Sequence, residues 1–150
     1  MKRWIAFIGF LVFVVGGGLV IGFLTVPGEW YAQLNKPAFN PPNWIFAPVW
    51  TVLYVMIAVA GWRTFERNRS DWSMRSWWLQ LGLNFLWSPV FFTAHQIGAA
   101  LLIILLLFVA VIDFIVMSLR QDRVAAWLFA PYAVWVMFAS MLNGAILLLN

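Results

Sequence analysis

Apolar residues fall into five long blocks, and polar residues are confined almost entirely to the gaps between them. Ile5 to Val26 is uncharged. Trp44 to Trp62 follows and is ended by Arg63. The third block is Trp77 to Thr93, the fourth Gly98 to Leu119, and the fifth Val124 to Leu149. A helix needs about 20 residues to cross a hydrocarbon core of about 30 Å. Backbone groups in lipid must be satisfied within their own segment, so each block predicts a helix. The pattern predicts an all-α integral membrane protein, a bundle of five transmembrane helices in a single domain over residues 1–150. Lys2 and Arg3 before the first block resemble a signal peptide, but the apolar run is long for one and no A-x-A site follows. It is read as a retained helix.

The side chains that break the apolar pattern are regularly spaced. In the third block Gln80, Asn84 and Ser88 recur every four residues, with Trp87 and Phe91 beside them. In the second, Ala47, Trp50, Tyr54, Ala58 and Gly61 share a face. In the fifth, Tyr132, Trp135, Ala139 and Asn143 do so. Such stripes serve helix–helix contact. Three helices each pairing polar groups with Trp or Tyr can also line an aromatic pocket with a few polar anchors. Gly18 and Gly22 form a GxxxG pair, which suits either dimerisation or close packing within one chain.

Composition agrees with lipid as the solvent. Of 150 residues, 65% are hydrophobic and 9% charged, against about a quarter charged in a soluble domain. The eleven tryptophans suit bilayer interfaces. The net charge of +4 sits in short connections, so topology explains it better than nucleic-acid binding does. Lys2, Arg3, Arg63, Arg67, Arg69, Arg75, Arg120 and Arg123 fall on one side and Lys36 alone on the other. The positive-inside rule then puts the N-terminus in the cytoplasm and the C-terminus outside, for an inner-membrane protein. There is no cysteine. Asp113 is the one acid well inside a block, read as snorkelling or paired with Arg120 on the same face. His95, the sole histidine, is too little for a metal or haem site, and no metal is expected. No phosphate loop, Ser/His/Asp set or carboxylate pair is present.

The longest connection carries four prolines among aromatics, "NKPAFNPPNWIFAPVWTVLY". With "QLGLNFLWSPVFF" and "AAWLFAPYAVWVMFASMLNGAILLLN", it resembles the TspO/MBR family, the translocator and tryptophan-rich sensory proteins. The resemblance runs from Trp30 to the C-terminus. It implies five transmembrane helices, often as a homodimer, around a pocket capped by the first loop. It implies binding of protoporphyrin IX or a related tetrapyrrole as ligand rather than fixed cofactor, and of isoquinoline or benzodiazepine-type drugs. The pocket residues it implies are Tyr31, Pro41, Trp50, Tyr54, Asn84, Trp87, Ser88, Phe91, Trp135, Phe138, Ala139 and Asn143. Trp50 and Trp135 match the two tryptophans implicated in light-driven porphyrin degradation in some members. Phe39 and Ala47 stand where members commonly have Trp and Gly, and Ser88 where some bacterial members have Asn. No basic residue follows Arg123, which puts sterol binding in doubt. The loop is expected to act as a stiff cap, because proline lowers the entropy lost on ordering, with Lys36 meeting an acidic group of the ligand. Three functions stay open: a tetrapyrrole-binding sensor, a porphyrin or sterol transporter, and a light- or oxygen-dependent porphyrin-degrading enzyme.

Overall fold

In the computed structural model, which describes residues 1–150, the chain is helical apart from its connections and has no strand. Six helical segments follow in order. Helix α1 is Lys2–Leu24, with a π-helical stretch at Val12–Gly16. Helix α2 is the short Glu29–Gln33. Helix α3 is Asn43–Arg67, opening on a 3-10 turn. Helix α4 covers 72–93, its last five residues π-helical. Helix α5 is Ile97–Gln121 and α6 is Arg123–Leu149.

Helices α1, α3, α5 and α6 are long and apolar enough to cross a membrane. Helix α4 is not among them, because it carries Ser73, Arg75, Ser76, Gln80, Asn84 and Ser88 within its length. It also starts earlier than the apolar pattern predicts, at Trp72 rather than Trp77. Asp71 caps it, its Oδ1 accepting from the Trp72 N–H at 2.8 Å, which fixes the start upstream of the apolar run. Pro89 does not end it. The backbone widens to a π turn over Pro89–Thr93, as happens where a proline disturbs the i to i−4 ladder. Helix α2 was not foreseen. It is too short to show an apolar period.

Around the bundle the order is α1, α3, α6, α5, α4, with α4 returning to α1. The core holds few large groups and many small ones. Trp77 is fully buried, and its indole N–H donates to the Ile57 carbonyl at 2.9 Å. It lies directly on Gly61, where an added Cβ would come within 2.3 Å of the ring. Phe114 and Phe129 join α5 to α6 at 4.1 Å between centroids. The large apolar side chains left exposed, such as Leu102, Val109, Val116, Val134 and Met141, face outward along the long helices, where lipid replaces water.

The two ends differ. At the basic end Arg63 grips Asp122 with two hydrogen bonds, 2.8 and 3.0 Å. Asp122 also caps α6 through the N–H groups of Val124 and Ala125. Burial raises the Asp122 carboxyl, but the bonds from Arg63 and the two backbone N–H groups outweigh it and hold the acid below its ordinary value. Asp71 is likewise lowered, first by the Ser73 hydroxyl. Asp113 does not pair with Arg120. Its carboxylate accepts from Ser76 of α4, because α4 packs along the face of α5 that carries Asp113.

At the other end, called the loop end below, residues 25–42 cross the bundle and the α4–α5 turn closes it. Lys36 does not reach toward a ligand. Its ammonium donates to the carbonyls of Tyr31, Leu34 and Ala32 at 2.6, 3.2 and 3.5 Å and lies over the Tyr31 ring. It satisfies the orphan carbonyls at the end of α2. Asn35 is tied to Leu149 and Asn150 by three hydrogen bonds. His95 turns the chain with φ of 57° and stacks on Trp30 at 4.1 Å.

Candidate ligand site in the bundle

A cavity of about 420 Å³ lies at the loop end, walled by α1, α3, α4 and α6 and roofed by α2. Its volume falls in the range of about 300–1,000 Å³ usual for small-molecule sites. Nine of the 24 lining residues are aromatic, and they supply most of the wall's large side chains. Trp50 stacks on Tyr54 at 5.5 Å and meets Trp135 edge-on at 6.5 Å and 89°. Trp87 stacks on Phe91 at 5.3 Å, and Tyr31 meets Phe91 and Phe92 edge-on from above. Burial raises the Tyr31 phenol above its ordinary value, so it is a neutral roof.

Several polar groups in the wall are held by partners on another element, while Thr51 bonds within its own helix to the Ala47 carbonyl at 2.8 Å and the Trp135 indole N–H is buried without a partner. Tyr54 donates to Asn84 Oδ1 at 3.1 Å. Asn84 Nδ2 donates to the Tyr132 hydroxyl at 2.7 Å, which donates to Gln80 Oε1 at 2.8 Å. This chain joins α3, α4 and α6 through the stripe that the sequence placed every four residues. Each such bond between membrane helices contributes about 1 kcal/mol. The Trp87 indole donates to Asn143 Oδ1 at 3.1 Å, and Asn143 Nδ2 to the Ile97 carbonyl at 3.0 Å. The Thr25 hydroxyl donates to the Ile21 carbonyl at 2.7 Å. Its proton is thus used, and Ser88 must donate to Thr25 across their 2.6 Å contact. The result is an apolar box in which Tyr54, Asn84, Trp87, Asn143, Thr25 and Ser88 are already oriented by hydrogen bonds, suited to a flat, largely apolar molecule.

Ten of the twelve positions expected from the sequence line this cavity: Tyr31, Trp50, Tyr54, Asn84, Trp87, Ser88, Phe91, Trp135, Ala139 and Asn143. Pro41 and Phe138 do not. Pro41 lies before the 3-10 turn Asn43–Ile45, which carries the chain round so that Asn43 and Phe46 meet the cavity instead. Phe138 stands one helical turn from Trp135 and three residues from it. It faces a groove between α3 and α6 and backs Trp135 at 5.5 Å. Phe39 packs edge-on against Phe138 at 6.2 Å.

The α1 wall was missed: Gly18, Gly22 and Thr25 line the cavity. Thr25 carried a signal, being the one polar residue in its apolar block. Gly18 answers the question raised by the GxxxG pair. An added Cβ there would sit 2.3 Å from the Tyr54 ring, so this glycine serves packing within the chain.

The fold and site define a helical membrane protein with a tryptophan-walled cavity at one end. The TspO/MBR family model matches residues 10–149, and the chain belongs to the TspO/MBR family. It is 44% identical over 123 residues to the tryptophan-rich protein TspO of Archaeoglobus fulgidus, covering 81% of this chain and 80% of that one. It is 35% identical over 147 residues to the tryptophan-rich sensory protein of Cereibacter sphaeroides, covering 98% and 92%. It is 32% identical over 148 residues to the human translocator protein, covering 93% and 87%.

Proposed function

We propose that this protein is a membrane receptor for flat tetrapyrroles of the protoporphyrin IX type, which it binds in the α1/α3/α4/α6 cavity, and that isoquinoline or benzodiazepine-type molecules compete there. The observation that carries the reading is the cavity wall itself: Trp50, Tyr54, Trp87, Phe91 and Trp135 around Asn84, Ser88 and Asn143. Aromatic faces suit a large π-system, and each stacked pair adds about 0.5–1.5 kcal/mol beyond area. The receptor sits in the bilayer with five crossings, α4 supplying the fifth. Its polar stripe turns inward, where Gln80 and Asn84 are bonded to Tyr132 and Tyr54. The basic end, with eight of the nine Lys and Arg residues, faces the cytoplasm. A homodimer is the expected assembly.

A second reading has its own observation. Trp50 and Trp135 meet on the cavity surface, where an excited porphyrin can take an electron from indole. The porphyrin is left as a radical anion and the indole as a radical cation, and dioxygen supplies the oxidant for ring degradation, so that the light-dependent reaction runs through these two residues. A transporter has less support, since no charged group lines the cavity.

Titration of the purified protein in lipid nanodiscs with protoporphyrin IX, followed by quenching of tryptophan fluorescence, tests the reading. Saturable 1:1 quenching, reversed by an isoquinoline carboxamide, supports it. Linear, non-competed quenching equal to that of empty nanodiscs with free tryptophan overturns it.

A further inference from the structure

The cavity is closed above and open to the side. Above it, α2 and the loop are fastened by Lys36 and by the Asn35–Asn150 bonds, and Tyr31 is buried against Phe91 and Phe92. The side between α1 and α3 is different. In its first half α1 packs on α3 through Phe7 on Trp62 and Phe10 on Phe65. Beyond Gly18, which rests on Tyr54, α1 draws away from α3. A Cβ added at Gly22 would meet nothing within 4 Å. The cavity wall there consists of residues that are also on the outer surface: Leu19 at 54% and Phe23 at 82% exposure, and Ala47 and Thr51 opposite. The rim is apolar on α1 and small on α3, and it lies along helices that cross the membrane.

Resting on the receptor reading above, we propose that ligand enters and leaves this cavity sideways from the bilayer, through the window between the second half of α1 and the start of α3, rather than past the loop. The class of ligand follows from the route. It must be an apolar molecule already dissolved in lipid, and its concentration in the membrane sets the association rate. A planar molecule can slide edge-first past Gly22, where no side chain stands in the gap, while Leu19 and Phe23 are free to swing into lipid. The loop is then a fixed roof, which accords with Lys36 spending its donors on α2.

The absence of cysteine makes a direct comparison possible. One variant, Asn35→Cys with Asn150→Cys, locks the roof by a disulfide where the two residues already touch. A second, Phe23→Cys with Ala47→Cys, is bridged across the window by a short bis-maleimide, bridging being checked by mass spectrometry. A third, Gly22→Leu, fills the gap without a linker at a position where an added Cβ meets nothing within 4 Å. Protoporphyrin IX is delivered from preloaded phosphatidylcholine vesicles and followed by stopped-flow fluorescence. The expected result is association and dissociation slowed at least tenfold by the bridge and by Gly22→Leu, and unchanged within twofold by the roof lock. Slowing by the roof lock alone, with the parent binding normally at equilibrium, overturns the window and leaves the receptor reading intact. A parent protein that shows no equilibrium binding overturns both.

Discussion

Gly18→Ala is the substitution whose effect the structure determines most closely. The new Cβ would stand 2.3 Å from the Tyr54 ring. Ordinary contact begins at 3.4 Å, so the ring and α1 must separate by 3.4 − 2.3 = 1.1 Å. Tyr54 has little freedom to give way. It stacks on Trp50, meets Phe85 edge-on and donates to Asn84 at 3.1 Å. A retreat of that size breaks the hydrogen bond, at about 1 kcal/mol, on top of about 1–3 kcal/mol for overpacking. Ala is the better helix former by up to about 1 kcal/mol. The net is a destabilisation of about 1–3 kcal/mol. Gly22→Ala gains the same helix propensity with nothing within 4 Å to collide with. Thermal unfolding in detergent, read by size-exclusion of the heated protein, should show Tm lowered by several degrees for Gly18→Ala and unchanged or raised for Gly22→Ala. Porphyrin affinity should fall about five- to tenfold for Gly18→Ala, because Tyr54 and Asn84 shift in the cavity wall. Equal shifts from the two substitutions, or equal loss of a dimer from both, would refute intrachain packing as the role of Gly18 and restore a dimer motif.

Other outcomes follow from the same geometry. Trp50→Phe or Trp135→Phe should keep porphyrin binding within about tenfold, since a phenyl ring still stacks, while slowing any light-driven loss of the porphyrin absorption band; bleaching at the parent rate by both bound variants would reduce the tryptophans to walls. At the basic end, Asp122→Ala should cost about 1 kcal/mol more than Asp122→Asn, because the Asn carbonyl keeps the cap on Val124 and Ala125 while losing the charge and one of the two acceptors for Arg63; equal Tm values would show that the cap contributes nothing. The folded Asp122 carboxyl is held below its unfolded value of about 3.9. Its contribution is therefore present above that pH and lost as pH falls through the lower folded value. A Tm scan from pH 6 to 3 should fall more steeply for the parent than for Asp122→Asn. A reporter active only in the cytoplasm should work when joined before Met1 and fail when joined after Asn150; the reverse pattern would overturn the orientation.

The helices were legible because lipid imposes a simple rule, and a long uncharged run has few other structures open to it. The cavity's polar stripe was legible for a related reason: Gln80, Asn84 and Ser88 are costly anywhere but the inside of a bundle, and a spacing of four sets them on one face. What the sequence concealed depends on contacts between distant segments. The start of α4 was hidden because Trp72 to Ser76 reads as polar until Asp71 is seen to cap it and Ser76 to bond Asp113. Asp113 seemed paired with Arg120 because spacing reports one helix at a time, whereas its partner lies on the neighbouring one. Lys36 was assigned to a ligand because α2, whose carbonyls it caps, is five residues long. Pro41 and Phe138 fell outside the cavity for local reasons, the 3-10 turn and the outward face of α6. The α1 wall left almost no trace, since glycine lines a cavity by having no side chain.

The account stands on the cavity being the binding site, and Ala139→Phe tests that most directly. Ala139 is 7% exposed and forms part of the cavity wall on α6, so a phenyl group there occupies the space a ligand needs while remaining apolar in an apolar box. Equilibrium titration with protoporphyrin IX in nanodiscs, on protein whose thermal unfolding matches the parent within a few degrees, should show affinity reduced at least a hundredfold. Parent-like affinity in that folded variant would contradict the account and move the site elsewhere on the molecule.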